Sequence, residues 1–210
     1  MKARRQSGEP ESNKARAKAM LSEPPILSFA DIRGWSEWLA SHHASSPGAW
    51  IRIAKKGAKA PSVSYREALE VALIWGWIDG QKGKLDDKWW LQKFTPRGPK
   101  SLWSKINREK AVALLEAGKM MPSGRAAVDR AREDGRWEAA YDSQSRATVP
   151  PDFAKALTAN PGAARFFETL ESYNRYAVLF RIHTAKRPET RAMRIEKFVT
   201  MLARHEKLHP

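Results

Sequence analysis

In the first half of the chain the hydrophobic positions change period several times. Ile26-Leu27-Ser28-Phe29 reads as a short strand, and Asp31 stands where it can cap a helix in which Ile32, Trp35, Trp38 and Leu39 recur at helical spacing until His42-His43. The SSPG turn at residues 45–48 is followed by Ala49–Ala54, whose alternation is that of a half-buried strand. Ser64 and Glu67 form a capping box for the next helix. On it Leu69, Ala72, Leu73 and Gly76 share one face, and Val71 and Ile74 occupy much of the other, so the helix is predicted to be buried. Trp77–Gln81 then reads as a brief strand and GKLDDK as a turn. Trp89–Thr95 forms a longer strand stopped by Pro96 and Pro99. The resulting β-α-β-α-β-β order over roughly residues 26–97 predicts a small sheet with its helices on one face.

From Ser104 onward the pattern is helical. Ser104 caps a helix with Ile106, Ala113, Leu114 and Ala117 inward, ended by Gly118, and Ser123 opens another that stops near Gly135. After a loop over about 142–151 come helices over Asp152–Ala159, Pro161–Glu171 and Tyr173–Ala185, the last with Ser172 able to cap it. A final helix opens at Pro188, and its Ile195, Phe198, Val199 and Leu202 make an apolar stripe. The predicted fold class is therefore α+β: a small N-terminal sheet with packed helices over residues 25–103, then a helical C-terminal region over 104–210. A basic leader over residues 1–24, without aromatics, is expected to be disordered.

Composition sharpens the choice of partner more than the choice of fold. Lys plus Arg number 38 against 23 Asp plus Glu, a formal charge of +15. Six cations and three anions fall in the leader, so most of the excess belongs to the folded part, and anionic partners are favoured. The absence of cysteine excludes disulfides, thiolate nucleophiles and thiolate metal sites. No apolar run has the length of a signal peptide or a membrane span, which predicts a cytoplasmic protein without membrane insertion.

The chemistry is densest between Trp75 and Asn107, where five tryptophans stand among Asp79, Asp86, Asp87 and a row of cations. Alternation puts Asp79 and Gln81 on the same side of a strand, while Asp86 and Asp87 suit a turn better than a metal site. Residues 93–110 carry six cations against Glu109 alone. Arg97 and Lys100 lead into a helix whose free N–H groups near Ser104 suit an anion, with Trp103 offering a flat face and Asn107 one turn inside. The candidate ligand-binding set is thus Trp77, Asp79, Gln81, Arg97, Lys100, Trp103, Ser104, Lys105 and Asn107. No catalytic residue, metal ligand or cofactor is assigned. His42 and His43 fit a helix C-terminus, His183 a hydrogen-bonded core histidine, and Phe166, Phe167, Tyr173, Tyr176 and Phe180 helix packing.

The segments WIDGQ (77–81), FTPR (94–97), SLWSKIN (101–107), GRWEAAYDSQS (135–145) and the ending TAKRPETRAMRIEKFVTMLARHEKLHP resemble the YdeI/OmpD-associated family. The resemblance implies an α+β N-terminal region of YdhG-like fold followed by a helical region. It also implies a stress or bacteriocin-protection role, and association with a porin as a protein partner. Three functions follow as expectations. In the first, a non-catalytic cytoplasmic protein binds an anionic small molecule or a protein partner through the Trp77–Asn107 segment. In the second, an enzyme uses Asp79 with His or Ser partners on a phosphorylated or sugar substrate. The third is nucleic-acid binding without sequence specificity, ranked lower because no ribonucleoprotein motif, GXXG loop, zinc finger or recognition helix is present.

Overall fold

The structure, a computed structural model, describes residues 24–210, so the leader expected over 1–24 lies outside the described residues save for its last. The chain divides into two compact units: residues up to Gly98 together with Lys119–Ala127, and Pro99–Gly118 together with Val128–Pro210. Strands β1 (Ile26–Leu27), β2 (Ala49–Ala54), β3 (Trp77–Lys84) and β4 (Trp89–Pro96) form one sheet in the order β1-β2-β4-β3. β1 runs parallel to β2, and the other pairs are antiparallel. The protein is α+β, with this small sheet and its helices N-terminal and a helical region C-terminal.

Helices α1 (Ile32–His42) and α2 (Tyr65–Ile74) lie against the face of the sheet that carries Ala49, Ile51, Ile53 and Phe94, all buried. Trp35 of α1 centres the packing: its ring lies 5.7 Å from Phe94 and 6.2 Å, edge-on, from Trp77. A buried indole must satisfy its N–H. Trp35 donates to the Ala68 carbonyl at 3.0 Å and Trp77 to the His43 carbonyl at 3.2 Å. Both predicted caps are made, Asp31 accepting from Gly34 and Ser64 completing the capping box with Glu67, whose carboxyl is held below its ordinary range by those hydrogen bonds.

Two local expectations are corrected. α2 ends at Ile74, and Gly76, expected on its apolar face, lies beyond it at φ +75°, a conformation open to glycine. The chain turns there because the start of α4 (Pro122–Glu133) is seated on the end of α2. Met121 N–H donates to the Ile74 carbonyl and the Ser123 hydroxyl to the Trp75 carbonyl, so helix-end groups without intrahelical partners are satisfied.

The second correction concerns alternation along β3. Asp79 pairs with Phe94 but Lys82 with Gln92, so one extra residue is inserted between them as a bulge. Residues directly opposite share a face, which puts Asp79 and Lys82 on one side and Gln81 on the other. Gln92, buried to 1 % exposure, reaches under the bulge and donates to the carbonyls of Gly80 and Gln81 that the interrupted ladder leaves over.

The second unit contains α3 (Lys105–Glu116), the latter half of α4, α5 (Pro151–Thr158), α6 (Pro161–Thr169), α7 (Ser172–His183) and α8 (Pro188–Ala203). Its core gathers Phe153, Phe167, Val178, Ile182, Phe198 and Leu202, one or two from each of the last four helices. Phe198 and Leu202 come from the stripe predicted for the final helix. Ser172 does not cap α7 but is its first residue, and its hydroxyl accepts from Gln144.

Candidate functional site

The nine residues expected to bind a ligand fall in both units. In the first, Trp77 is 1 % exposed within the aromatic core, and Asp79 accepts the Tyr65 hydroxyl at 2.7 Å. Gln81 is exposed on the bulge, and Arg97 is buried, its backbone N–H donating to the Gly76 carbonyl. In the second, Lys100 is exposed and Trp103, 2 % exposed, packs edge-on against Trp137 at 4.9 Å. Neither Trp77 nor Trp103 therefore shows an open ring face. Ser104 caps α3 by accepting the Asn107 backbone N–H at 3.1 Å, and Asn107 is buried behind it. Lys105, the first residue of α3, is the one of these nine that lines the cavity described next.

That cavity, of ≈ 310 Å³, lies wholly within the helical unit. Its assembly starts from backbone: Tyr141 N–H donates to the Trp103 carbonyl and Lys105 N–H to the Tyr141 carbonyl. This short parallel bridge sets Lys105 beside Asp142, and the Lys105 ammonium reaches the Asp142 carboxylate at 2.8 Å. Tyr176 of α7 closes the same corner, its hydroxyl donating to the Asp142 backbone carbonyl at 2.9 Å. Burial, with Tyr141 and Asp142 nearby, pushes that hydroxyl up to about 12, so it stays a neutral donor at physiological pH. Tyr141 and Phe180 meet edge-to-face at 4.9 Å and complete an aromatic wall.

Arg191, from the first turn of α8, also lines the cavity. Its guanidinium holds Asp152 with two hydrogen bonds, 2.6 and 2.9 Å, and its remaining terminal nitrogen donates to the Ile182 carbonyl at the end of α7. Hydrogen bonding from Arg191 holds the Asp152 carboxyl below its usual range, and the same bond raises Arg191. An ammonium has three donors and a guanidinium five. Lys105 uses one for Asp142 and Arg191 three for its partners, so each cation keeps donors for a further acceptor although its charge is already balanced. His183, expected in a core, is instead exposed on the rim, with Nε2 3.4 Å from the Ala139 carbonyl. It also lines a second depression of ≈ 360 Å³ beside Leu102, Arg136 and Lys186.

Sequence reasoning reached Lys105 and passed over most of this site. The spacing of Tyr176, Phe180 and His183, i, i+4 and i+7 on one helix, was a usable signal, since one face carrying two aromatics and an imidazole is more polar than core packing needs. Asp142 and Arg191 gave no comparable signal, because each stands in a region rich in charge.

Among the described residues no group of three or more His, Asp or Glu side chains gathers that could hold a metal ion, and no helix is long and apolar enough to cross a membrane. Residues 146–205 match the family model described as Bacteriocin-protection, YdeI or OmpD-Associated. Over these residues the chain is similar to the YdeI/OmpD-associated family. The matched segment contributes nine of the twelve residues lining the cavity, Tyr176, Phe180, His183 and Arg191 included, and Lys105, Tyr141 and Asp142 come from outside it. Residues 27–127 match a separate model, a domain of unknown function (DUF8412). Of the segments that resemble the YdeI/OmpD-associated family, the ending from Thr184 falls largely inside the family match, whereas WIDGQ, FTPR and SLWSKIN fall within the other. No curated protein and no solved structure matches the chain.

Proposed function

We propose that the chain is a non-catalytic, cytoplasmic binding protein that takes a small anion with a flat apolar body into the cavity of its helical unit. Such binding would serve a stress or bacteriocin-protection role, of which the matched description names bacteriocin protection. The supporting observation is the convergence of Lys105 and Arg191, each with spare N–H donors, on a chamber walled by Tyr141, Tyr176 and Phe180. Because Asp142 and Asp152 already balance the two cations, the site offers directed donors more than excess charge. A bare ion then gains little, and a ligand needs both an anionic end for the donors and a ring for the wall.

Benzoate, acetate and benzyl alcohol separate these requirements in a thermal unfolding assay. Benzoate at a hundredfold excess over its Kd stabilises by about 2.7 kcal/mol, a rise in Tm of about 5–10 °C for a protein of this size. Acetate and benzyl alcohol leave Tm unchanged, and Lys105→Ala removes the response to benzoate. A response to benzyl alcohol equal to that to benzoate, or none to benzoate, would overturn the reading.

A further inference from the structure

The sheet of the first unit has a second face, turned away from α1 and α2. Alternation and register place Trp50 and Arg52 of β2 and Trp89, Leu91 and Lys93 of β4 on it. Gly83 lies opposite Leu91 on the neighbouring strand, where a Cβ would stand 3.3 Å from the Leu91 Cβ and in ordinary contact, 3.5 Å, with the Trp50 ring. Trp50 and Trp89 are half-buried, each attended by a cation: Arg52 lies 4.1 Å over Trp89, and Lys93 5.6 Å from the Trp50 ring centre.

The face runs directly into a basic depression. Beyond the end of β2, Lys55 N–H pairs with the Lys88 carbonyl, and Lys55, Lys56, Lys59 and Lys88, all exposed, surround a hollow of ≈ 520 Å³ with Asp87 as its one carboxylate. Among the described residues none of these four lysines, nor Arg52 or Lys93, makes an ion pair. The Lys55 ammonium is held by the Asp86 carbonyl at 2.7 Å, which fixes its position without neutralising it. From Lys88 to Lys93 the strand advances roughly 17 Å, at about 3.3–3.4 Å per residue.

We infer that this face and the lysine hollow form one binding surface for single-stranded nucleic acid. Cations along a track serve successive phosphates, while the indoles, and the Arg52 guanidinium seated over one of them, serve bases that a duplex keeps stacked among themselves. A surface for phosphate alone needs no tryptophans. A surface for an apolar partner would not line its approach with six cations outside any ion pair against one carboxylate. The surface belongs to the sheet unit and stands independently of the helical cavity.

Fluorescence anisotropy with a fluorescein-labelled 12-nucleotide single-stranded DNA, and with the same strand in duplex, tests this on the full chain. Three to four phosphate contacts give a rise in Kd of about 20- to 50-fold between 50 and 200 mM salt for the single strand, at a slope of about 0.7 per contact. Lys55→Glu with Lys59→Glu, both at exposed positions and with the fold verified by circular dichroism, weakens binding at least tenfold and flattens the salt slope. Trp89→Ala, with its fold verified by circular dichroism, weakens binding by about five- to a hundredfold at either salt concentration. Duplex binding as tight as single-strand binding would overturn the inference. So would unchanged affinity in the lysine double variant, or the absence of binding by the wild-type chain at 50 mM salt.

Discussion

Gly124→Ala probes the contact that holds the start of α4 on the end of α2. On an exposed helix the change would stabilise by about 1 kcal/mol, because alanine is the better helix former. Here the added methyl would press into the Ile74 carbonyl oxygen, while standing 2.6 Å from the Met120 sulfur and 2.9 Å from the Ile74 carbonyl carbon. Methionine can swing away, but a backbone carbonyl has no rotamer to change, so the cost sits at the upper end of the roughly 1–3 kcal/mol typical of overpacking. Relief requires α4 to shift, which strains the hydrogen bonds from Met121 to Ile74 and from Ser123 to Trp75, about 1 kcal/mol each. The net loss is about 2–4 kcal/mol, read as a lower urea midpoint and a fall in Tm of about 5–15 °C. Gly118→Ala is the control. Gly118 has φ +67° and nothing within 4 Å of a Cβ, so that variant meets backbone strain alone, about 1–2 kcal/mol. Gly124→Ala as stable as the wild type, or less damaging than Gly118→Ala, would show that the two helix ends are not in the contact described.

Trp35→Ala removes a fully buried side chain that packs against four aromatic neighbours and should cost about 3–5 kcal/mol in chemical denaturation; a loss below about 1 kcal/mol would deny it the central place in the core. Ser64→Ala breaks the capping box of α2 and should cost about 1 kcal/mol, with Glu67→Ala adding little once the box is gone, as a double-mutant cycle would show. Asp152 has its carboxyl lowered by Arg191, so its stabilisation is present above the unfolded value near 3.9 and is lost as pH falls through the lower folded value. Asp152→Asn should therefore lose stability at pH 7 by less than about 1 kcal/mol, given the partial exposure of the pair, and converge with the wild type in acid; a difference that persists in acid would break the assignment.

Much of the architecture was legible because it rests on short-range signals. Asp31 and Ser64 mark helix starts by side chains that can accept a backbone N–H three residues on, and those bonds are present. Asp86, weighed as a turn former, accepts from both Lys88 and Trp89. What failed depended on partners far along the chain. Gly76 looked like part of a helix face because nothing local reveals that the start of α4 arrives there. Gln81 was assigned its side by counting in twos, and the bulge, set by pairing with β4 and filled by Gln92, adds one to the count. The cavity was least legible of all, since Lys105, Asp142, Tyr176 and Arg191 meet only through the bridge at Tyr141 and the packing of α7 with α8.

β3 is the margin of its sheet, and a margin invites another copy to continue the hydrogen-bonded array. The extra residue at Gly80-Gln81 breaks the spacing that a second molecule would have to match, and Lys82 and Lys84, both exposed, would crowd ammonium against ammonium as two such margins approached. Fibril growth along this border is thereby discouraged at the concentrations that purification and crystallisation demand, and the discouragement weakens as salt screens the lysines.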